Sequence, residues 1–167
     1  MTIDRTRLSE LTAREQERFV AEHPKSQAAY EASTHLFGKV PMTWMMKHAM
    51  SFPIYLEGAR GATITDIDGI TYADFALGDT ASMAGHSPAP TVQAVTERMS
   101  AQGGITTMLP TADAEWVGAE LTRRFGLPLW SFTLTATDAN RWAIRLARLA
   151  TGKPRILVFS WCYHGSV

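Results

Sequence analysis

The chain has 167 residues, 46% of them hydrophobic, and its sixteen basic side chains balance sixteen acidic ones. That length buries one ordinary globular core, and neutral charge without a like-charged run excludes electrostatic capture of nucleic acid or of an anionic membrane. Small molecules, or further copies of the chain itself, are the partners such a surface fits.

Met1-Thr2-Ile3-Asp4-Arg5 opens onto a charged stretch without the apolar core of a signal peptide. No later run approaches the ~20 apolar residues that span a bilayer, so a cytoplasmic protein is expected. The single cysteine, Cys162, forms neither an internal disulfide nor a metal knuckle, and it reads as a small buried hydrophobe in a reducing compartment. No metal site is expected.

Residues 5–33 are rich in Glu, Arg, Ala and Gln, with Leu8, Leu11, Phe19 and Val20 at helical spacing, and predict two exposed helices broken near Pro24. Met42, Met45, Met46 and Met50 gather with Trp44 around Lys47 and His48. That cluster reads as adaptable core packing, with a subunit interface as the alternative. Residues 54–57, 62–66 and 70–75 follow strand patterns, and Asp68-Gly69 supplies a turn between the last two. A small antiparallel meander follows from this. Gly78, Gly85, Ser87, Pro88 and Pro90 then mark a loop.

Val92, Val95 and Met99 predict a helix over 89–100. Thr111 is a plausible cap for a second, whose Trp116, Val117, Leu121 and Phe125 share a face before Gly126 stops it. Residues 130–135 read as a strand, 138–151 as an amphipathic helix closed by Gly152, and 155–159 as a second, almost wholly apolar strand. Such a strand-helix-strand unit implies a parallel pair with a right-handed crossover in a sheet covered on both faces.

In open α/β sheets ligands gather beyond the carboxyl ends of strands, and the turn Thr135-Ala136-Thr137-Asp138 joins such an end to a helix start. Backbone N–H groups there can hold a phosphate, with the Thr137 hydroxyl beside them. The same residues also fit a plain helix cap by Thr137 or Asp138. Tyr163-His164-Gly165 follows the next strand and should lie on the same rim, where an aromatic ring can stack on a flat heterocycle.

Gly61-Ala62 through Asp66-Ile67-Asp68-Gly69, then Tyr72, Asp74 and Gly85-His86-Ser87-Pro88, resemble consecutive signatures of the class III aminotransferases. Thr135-Ala136-Thr137-Asp138-Ala139 stands where that family has Ser-Gly-Thr-Glu-Ala. Ala143-Ile144-Arg145-Leu146-Ala147-Arg148, Thr151-Gly152 and Tyr163-His164-Gly165 follow in register. The resemblance runs from about Pro53 to the end and is greatest to glutamate-1-semialdehyde aminomutase and its relatives.

The resemblance implies an α/β fold of the PLP-dependent transferase type I (aspartate aminotransferase-like), present here in part. Residues 1–76 would be N-terminal helices and a meander belonging to the small domain, and 77–167 the beginning of the large pyridoxal-phosphate (PLP)-binding domain. It implies that Ala136 and Thr137 bind the phosphate of pyridoxal 5'-phosphate, that Tyr163 stacks on its ring, and that His164 accompanies them. A Schiff-base lysine is expected beyond residue 167, so no catalytic residue is assigned within the chain, and Lys153 reads as a helix-closing surface charge.

The implied activity is a transaminase or aminomutase acting on a small-molecule amino donor and acceptor. Family members are dimers, so a homodimer is expected. Gly78-Asp79-Thr80 and Gly104-Ile105-Thr106-Thr107 are the candidate substrate-pocket segments. The alternative is an inactive truncated paralogue that binds a phosphate or pairs with a full-length subunit. Ala136 in place of glycine costs little if that position keeps a negative φ, and ~1 kcal/mol or more if it does not.

Overall fold

Asp4 begins the first helix: its carboxylate accepts the N–H groups of Thr6 and Arg7 at 3.0 and 3.1 Å, satisfying two donors that a helix start leaves open. Helix α1 (Arg5–Glu22) ends at His23, because Pro24 has no N–H with which to continue it. The same proline opens α2 (Pro24–Ala32) at a position where its missing donor does not matter. The structure, a computed structural model, describes residues 3–78, 81–103 and 108–166.

No side chain at its own start caps α2. Asp68 does so from a turn more than forty residues on: Oδ1 accepts the N–H of Lys25 at 2.7 Å, and Oδ2 accepts the N–H and hydroxyl of Ser26 at 3.0 and 2.6 Å. Burial pushes the Asp68 carboxyl up, but these hydrogen bonds, with His23 nearby, outweigh it and hold it below the usual carboxylate range.

That turn belongs to a three-stranded antiparallel sheet in the order β1 (Leu56–Arg60), β2 (Thr63–Asp66), β3 (Thr71–Ala73). The meander is as the sequence reads, except that β1 begins and ends later than the apolar run at 54–57. Its ladder is set by the hairpin at Gly61-Ala62, where Gly61 has φ +57. At the second hairpin Asp66 Oδ1 accepts the N–H groups of Asp68 and Ile70 at 3.0 and 2.9 Å.

Helices and sheet meet on a buried polar group. Asp66, 1% exposed, accepts the Tyr72 hydroxyl at 2.7 Å, and that hydroxyl lies 2.6 Å from Nε2 of His23, itself 4% exposed. His23 Nδ1 donates to the Phe19 carbonyl at 2.7 Å, so the ring is held from both sides. Burial pushes the Tyr72 hydroxyl well above its usual range, and the Asp66 carboxylate it bonds pushes the same way. Around this group the apolar core is small: Val40 and Phe52 are buried, and Phe52 packs 5.0 Å from the Phe19 ring.

The methionine-rich segment packs into that core only in part: Met45 and Met50 are half-buried, and Met50 lines a cleft with Phe19, His23 and Tyr72. Phe37–Lys39 and Thr43–Met46 form 3-10 turns, and Met42, Trp44 and Met46 stand exposed. The core-packing expectation is therefore corrected for Met42, Trp44 and Met46, since two short turns leave no helix or sheet face to lie over these side chains.

The loop after β3 is closed by a side-chain chain of contacts. His86 Nε2 lies 2.6 Å from Asp74 Oδ2 and its Nδ1 lies 3.2 Å from the Ser82 hydroxyl, while Asp74 Oδ1 accepts the N–H groups of Ala76 and Leu77. The hydrogen bond from His86 is the largest reason the Asp74 carboxyl is held low. His86 also exchanges backbone hydrogen bonds with Gly61 at 2.8 and 3.0 Å, and a Cβ on Gly85 would come within 3.2 Å of the Gly61 backbone. The Gly-His pair thus ties the loop to the first hairpin. Of the candidate substrate-pocket segments, Asp79, Thr80 and residues 104–107 lie outside the described residues.

Helix α3 (Ala89–Glu97) continues through a wider turn at Arg98–Gln102, a little beyond the helix predicted over 89–100. By proximity the chain divides into two compact units, Met1–Ile105 and Thr106–Val167. The second contains α4 (Ala112–Phe125), stopped at Gly126 with φ 72, and α5 (Ala136–Thr151), stopped at Gly152 with φ 67. At the start of α4 the Thr111 hydroxyl reaches the Asp113 carboxylate, not a backbone donor. Arg123 and Arg124 both bind Glu120 and hold its carboxyl down at about 2.

The predicted strands at 130–135 and 155–159 do not form a parallel pair: neither is hydrogen-bonded into a ladder among the described residues. A strand exists only with a neighbour, and these two segments do not adjoin one another as neighbours in a sheet. Each is instead pinned locally, by Trp130 Nε1 donating to the Thr122 hydroxyl at 3.0 Å and by Arg148 Nε donating to the Pro154 carbonyl at 2.9 Å. Among the described residues no helix is long and apolar enough to cross a membrane.

Candidate functional site

Thr135 leaves the extended segment with φ −141 and ψ 155 and caps α5. Its hydroxyl accepts the N–H of Asp138 at 3.1 Å and donates to Asp138 Oδ2 at 2.9 Å, a reciprocal cap close to the Ser/Thr-x-x-Glu capping box. The reading in which Thr137 or Asp138 serves as the N-cap is thereby corrected. Thr135 and Asp138 thus cap the helix as a pair.

Ala136 and Thr137 are the first helical residues, and among the described residues their N–H groups donate to no protein acceptor. Two amides at the positive end of a sixteen-residue helix, with the Thr137 side chain beside them, make an anion-binding end. Ala136 is not among the residues with positive φ, so its Cβ brings no left-handed strain.

The second half of the site lies against the first. Gly165 has φ +89, and a Cβ built on it would fall 2.3 Å from Thr137 Oγ1 and 3.0 Å from Thr137 Cα. Only glycine lets this backbone rest directly on the helix start. Asn140, one turn into α5, donates from Nδ2 to the carbonyl of His164 at 2.9 Å. His164 and Gly165 are thus held at the start of α5 beside Ala136 and Thr137, whereas Tyr163, the residue before His164 in the chain, is 84% exposed.

His164 joins the loop to α5 through its backbone, while the residue also lines a cleft of about 680 Å³ with Asn140, Arg145, Arg148, Ile156 and Val158. Thr137 and Tyr163 do not line that cleft. Its volume follows the uncovered apolar segment at 156–158, and the polar donors at the helix start are a better guide to chemistry. Cys162 is exposed, correcting the expectation of a buried cysteine. It sits in a turn closed by its N–H to the Phe159 carbonyl, where Trp161 takes φ +66 at a cost of about 1 kcal/mol or more.

These residues fit pyridoxal phosphate. Open amides and a threonine suit a dianionic phosphate, a flat exposed phenol suits a heteroaromatic ring, and the close approach of loop to helix start, which a Cβ would block, keeps the two together. Sequence reasoning missed Asn140. The available signal was a poor helix former early in an otherwise Ala-, Leu- and Arg-rich helix.

The sequence matches the family described as Aminotransferase class-III over residues 45–167. A crystal structure of a glutamate-1-semialdehyde aminomutase from Pseudomonas aeruginosa PAO1 superposes on the whole chain with TM-score 0.90 at 45% identity, the match covering 37% of that enzyme. A variant of the same enzyme has been solved in complex with PMP. A β-phenylalanine aminotransferase from Variovorax paradoxus matches 95% of the chain and 36% of its own length at 33% identity and TM-score 0.85. Glutamate-1-semialdehyde 2,1-aminomutase 2 of Exiguobacterium sibiricum is 34% identical over 149 residues, 86% of this chain and 33% of that protein. The chain spans about a third of the length of these relatives. Its helices and open three-stranded sheet are the α/β arrangement of an incomplete type I PLP fold.

Proposed function

Because the chain belongs to the class III aminotransferases and is homologous to the glutamate-1-semialdehyde 2,1-aminomutases, we propose that the protein moves an amino group with pyridoxal 5'-phosphate as cofactor, in the manner of an aminomutase. The observation that carries this is the meeting of two unsatisfied amides, Thr137 and Gly165 at one helix end. In this reading the N–H groups of Ala136 and Thr137 bind the phosphate, with the Thr137 hydroxyl adding a donor. Tyr163 lies along the ring and excludes water from that face. His164 holds the loop through its carbonyl.

When bound, the cofactor supplies an electron sink for charge left on the substrate carbon. The lysine that moves the proton is assigned to the part of the relatives' length that this chain does not span. Lys153, whose N–H bonds the Thr151 hydroxyl just past α5, keeps the role of a helix-closing charge. Residues 1–76 are assigned to the small domain and 77–167 to the large one. The exposed Met42, Trp44 and Met46 favour a homodimer, with these side chains at the subunit contact. A cytoplasmic location and a small-molecule amino donor and acceptor complete the proposal.

The test is a titration of the natural-length protein with pyridoxal phosphate, followed by visible absorbance, and then with a panel of amino donors. A bound chromophore that responds to a donor is expected. Thr137→Val should weaken cofactor binding by about tenfold, as loss of one hydrogen bond to a charged group would. A protein that takes up no chromophore, or a Thr137→Val variant that binds as the parent does, would contradict the assignment.

A further inference from the structure

We propose that Asn140 is a positioning residue, which fixes the Tyr163-His164-Gly165 loop against the start of α5 by donating to the His164 carbonyl. The inference rests on the cofactor reading above and adds a residue that this reading does not need. Among the described residues, the bond from Asn140 Nδ2 to His164 O, 2.9 Å, is the one side-chain hydrogen bond between α5 and this loop. Packing does little to hold the loop, since Trp161 and Tyr163 are almost fully exposed. Gly165 sets how closely loop and helix approach, and Asn140 sets where along the helix they do so.

Half-buried in a helix, asparagine is a poor former, so its helical neighbours give no local reason for it. Its amide works one turn in from the phosphate-binding amides, so the two jobs are separable. Ala136 and Thr137 hold an anion whether or not the loop is in place, whereas Tyr163 can meet a ring only if the loop is already ordered. Without the Asn140 bond, the cost of ordering the loop falls on binding.

The separation is testable in the natural-length protein with two probes. Pyridoxamine 5'-phosphate carries phosphate and ring but no aldehyde, so no lysine can capture it covalently. Inorganic phosphate carries the anion alone. Asn140→Leu removes the donor without adding charge, and Asn140→His keeps a ring nitrogen near the amide position, to be compared at about pH 8 where a free imidazole is neutral.

Asn140→Leu is expected to weaken pyridoxamine phosphate about tenfold and to diminish the circular dichroism induced in its ring. It should leave inorganic phosphate, followed by phosphorus NMR, within about twofold of the parent. Asn140→His is expected to restore most of both ring signals. The proposal is overturned if Asn140→Leu binds pyridoxamine phosphate with the parent's affinity and ring signal, or if both probes weaken equally, which would mean a disturbed helix start. It falls together with the cofactor reading if the parent binds neither probe, and alone if the parent binds both and the variant matches it.

Discussion

Gly165 and Thr137 share a space that holds one side chain fewer than any other residue would bring. Gly165→Ala places a methyl 2.3 Å from Thr137 Oγ1 at a φ of +89, so the loop must lift away from α5. The expected result is weaker binding of the phosphorylated cofactor by about tenfold or more, measured by equilibrium titration, with α5 retained. In the other unit, Tyr72→Phe removes the hydroxyl between Asp66 and His23. A buried carboxylate that loses such a donor costs about 1–3 kcal/mol, readable as a lowered denaturation midpoint of the natural-length protein. At this scale the sequence offered Thr137 and Tyr163 as candidates, because a hydroxyl beside a helix start and an aromatic ring are residue types that can be read without a structure. It did not make Asn140 legible, because its partner is a backbone carbonyl twenty-four residues away, and a carbonyl has no residue type.

Among the elements, α2 depends on a cap from a different hairpin, which makes its stability sensitive to acid in a defined direction. The folded Asp68 carboxyl lies below its ordinary value of 3.8. Its contribution is therefore fully present above that value and is lost as pH falls through the lower folded one. Asp68→Asn should abolish that part of the acid dependence, so unfolding curves of parent and variant converge at the most acidic pH and diverge above it. Parallel curves at every pH would contradict the capping role. Helix ends were readable in advance where glycine takes positive φ, at Gly126 and Gly152, and where Pro24 forbids continuation. The strands at 130–135 and 155–159 were not, since apolar composition gives a segment its taste for burial while only a neighbouring strand gives it a ladder. The hairpins of the meander succeeded for the converse reason: each strand's partner is the next one in sequence.

Across the whole molecule, large apolar side chains stand bare in numbers that a self-sufficient fold does not tolerate. Leu134, Leu157 and Phe159 of the second unit are 99%, 98% and 81% exposed, and Trp116 and Phe125 of α4 are 70% and 65% exposed. The buried apolar core of the described residues is Val40 and Phe52. The 167-residue chain expressed alone is accordingly expected to bind a hydrophobic dye and to melt without a cooperative transition. A sharp, monomeric melt would show that these faces are already satisfied. Covering them is the work of whatever packs on the second unit, and the relatives' greater length supplies material for it.

The most direct measurement compares the dissociation constants of pyridoxamine 5'-phosphate and its dephosphorylated form, pyridoxamine, for the natural-length protein. If the start of α5 holds the phosphate, removing that group should weaken binding by about a hundredfold or more. Equal affinity for the two would place the ligand elsewhere and contradict the account.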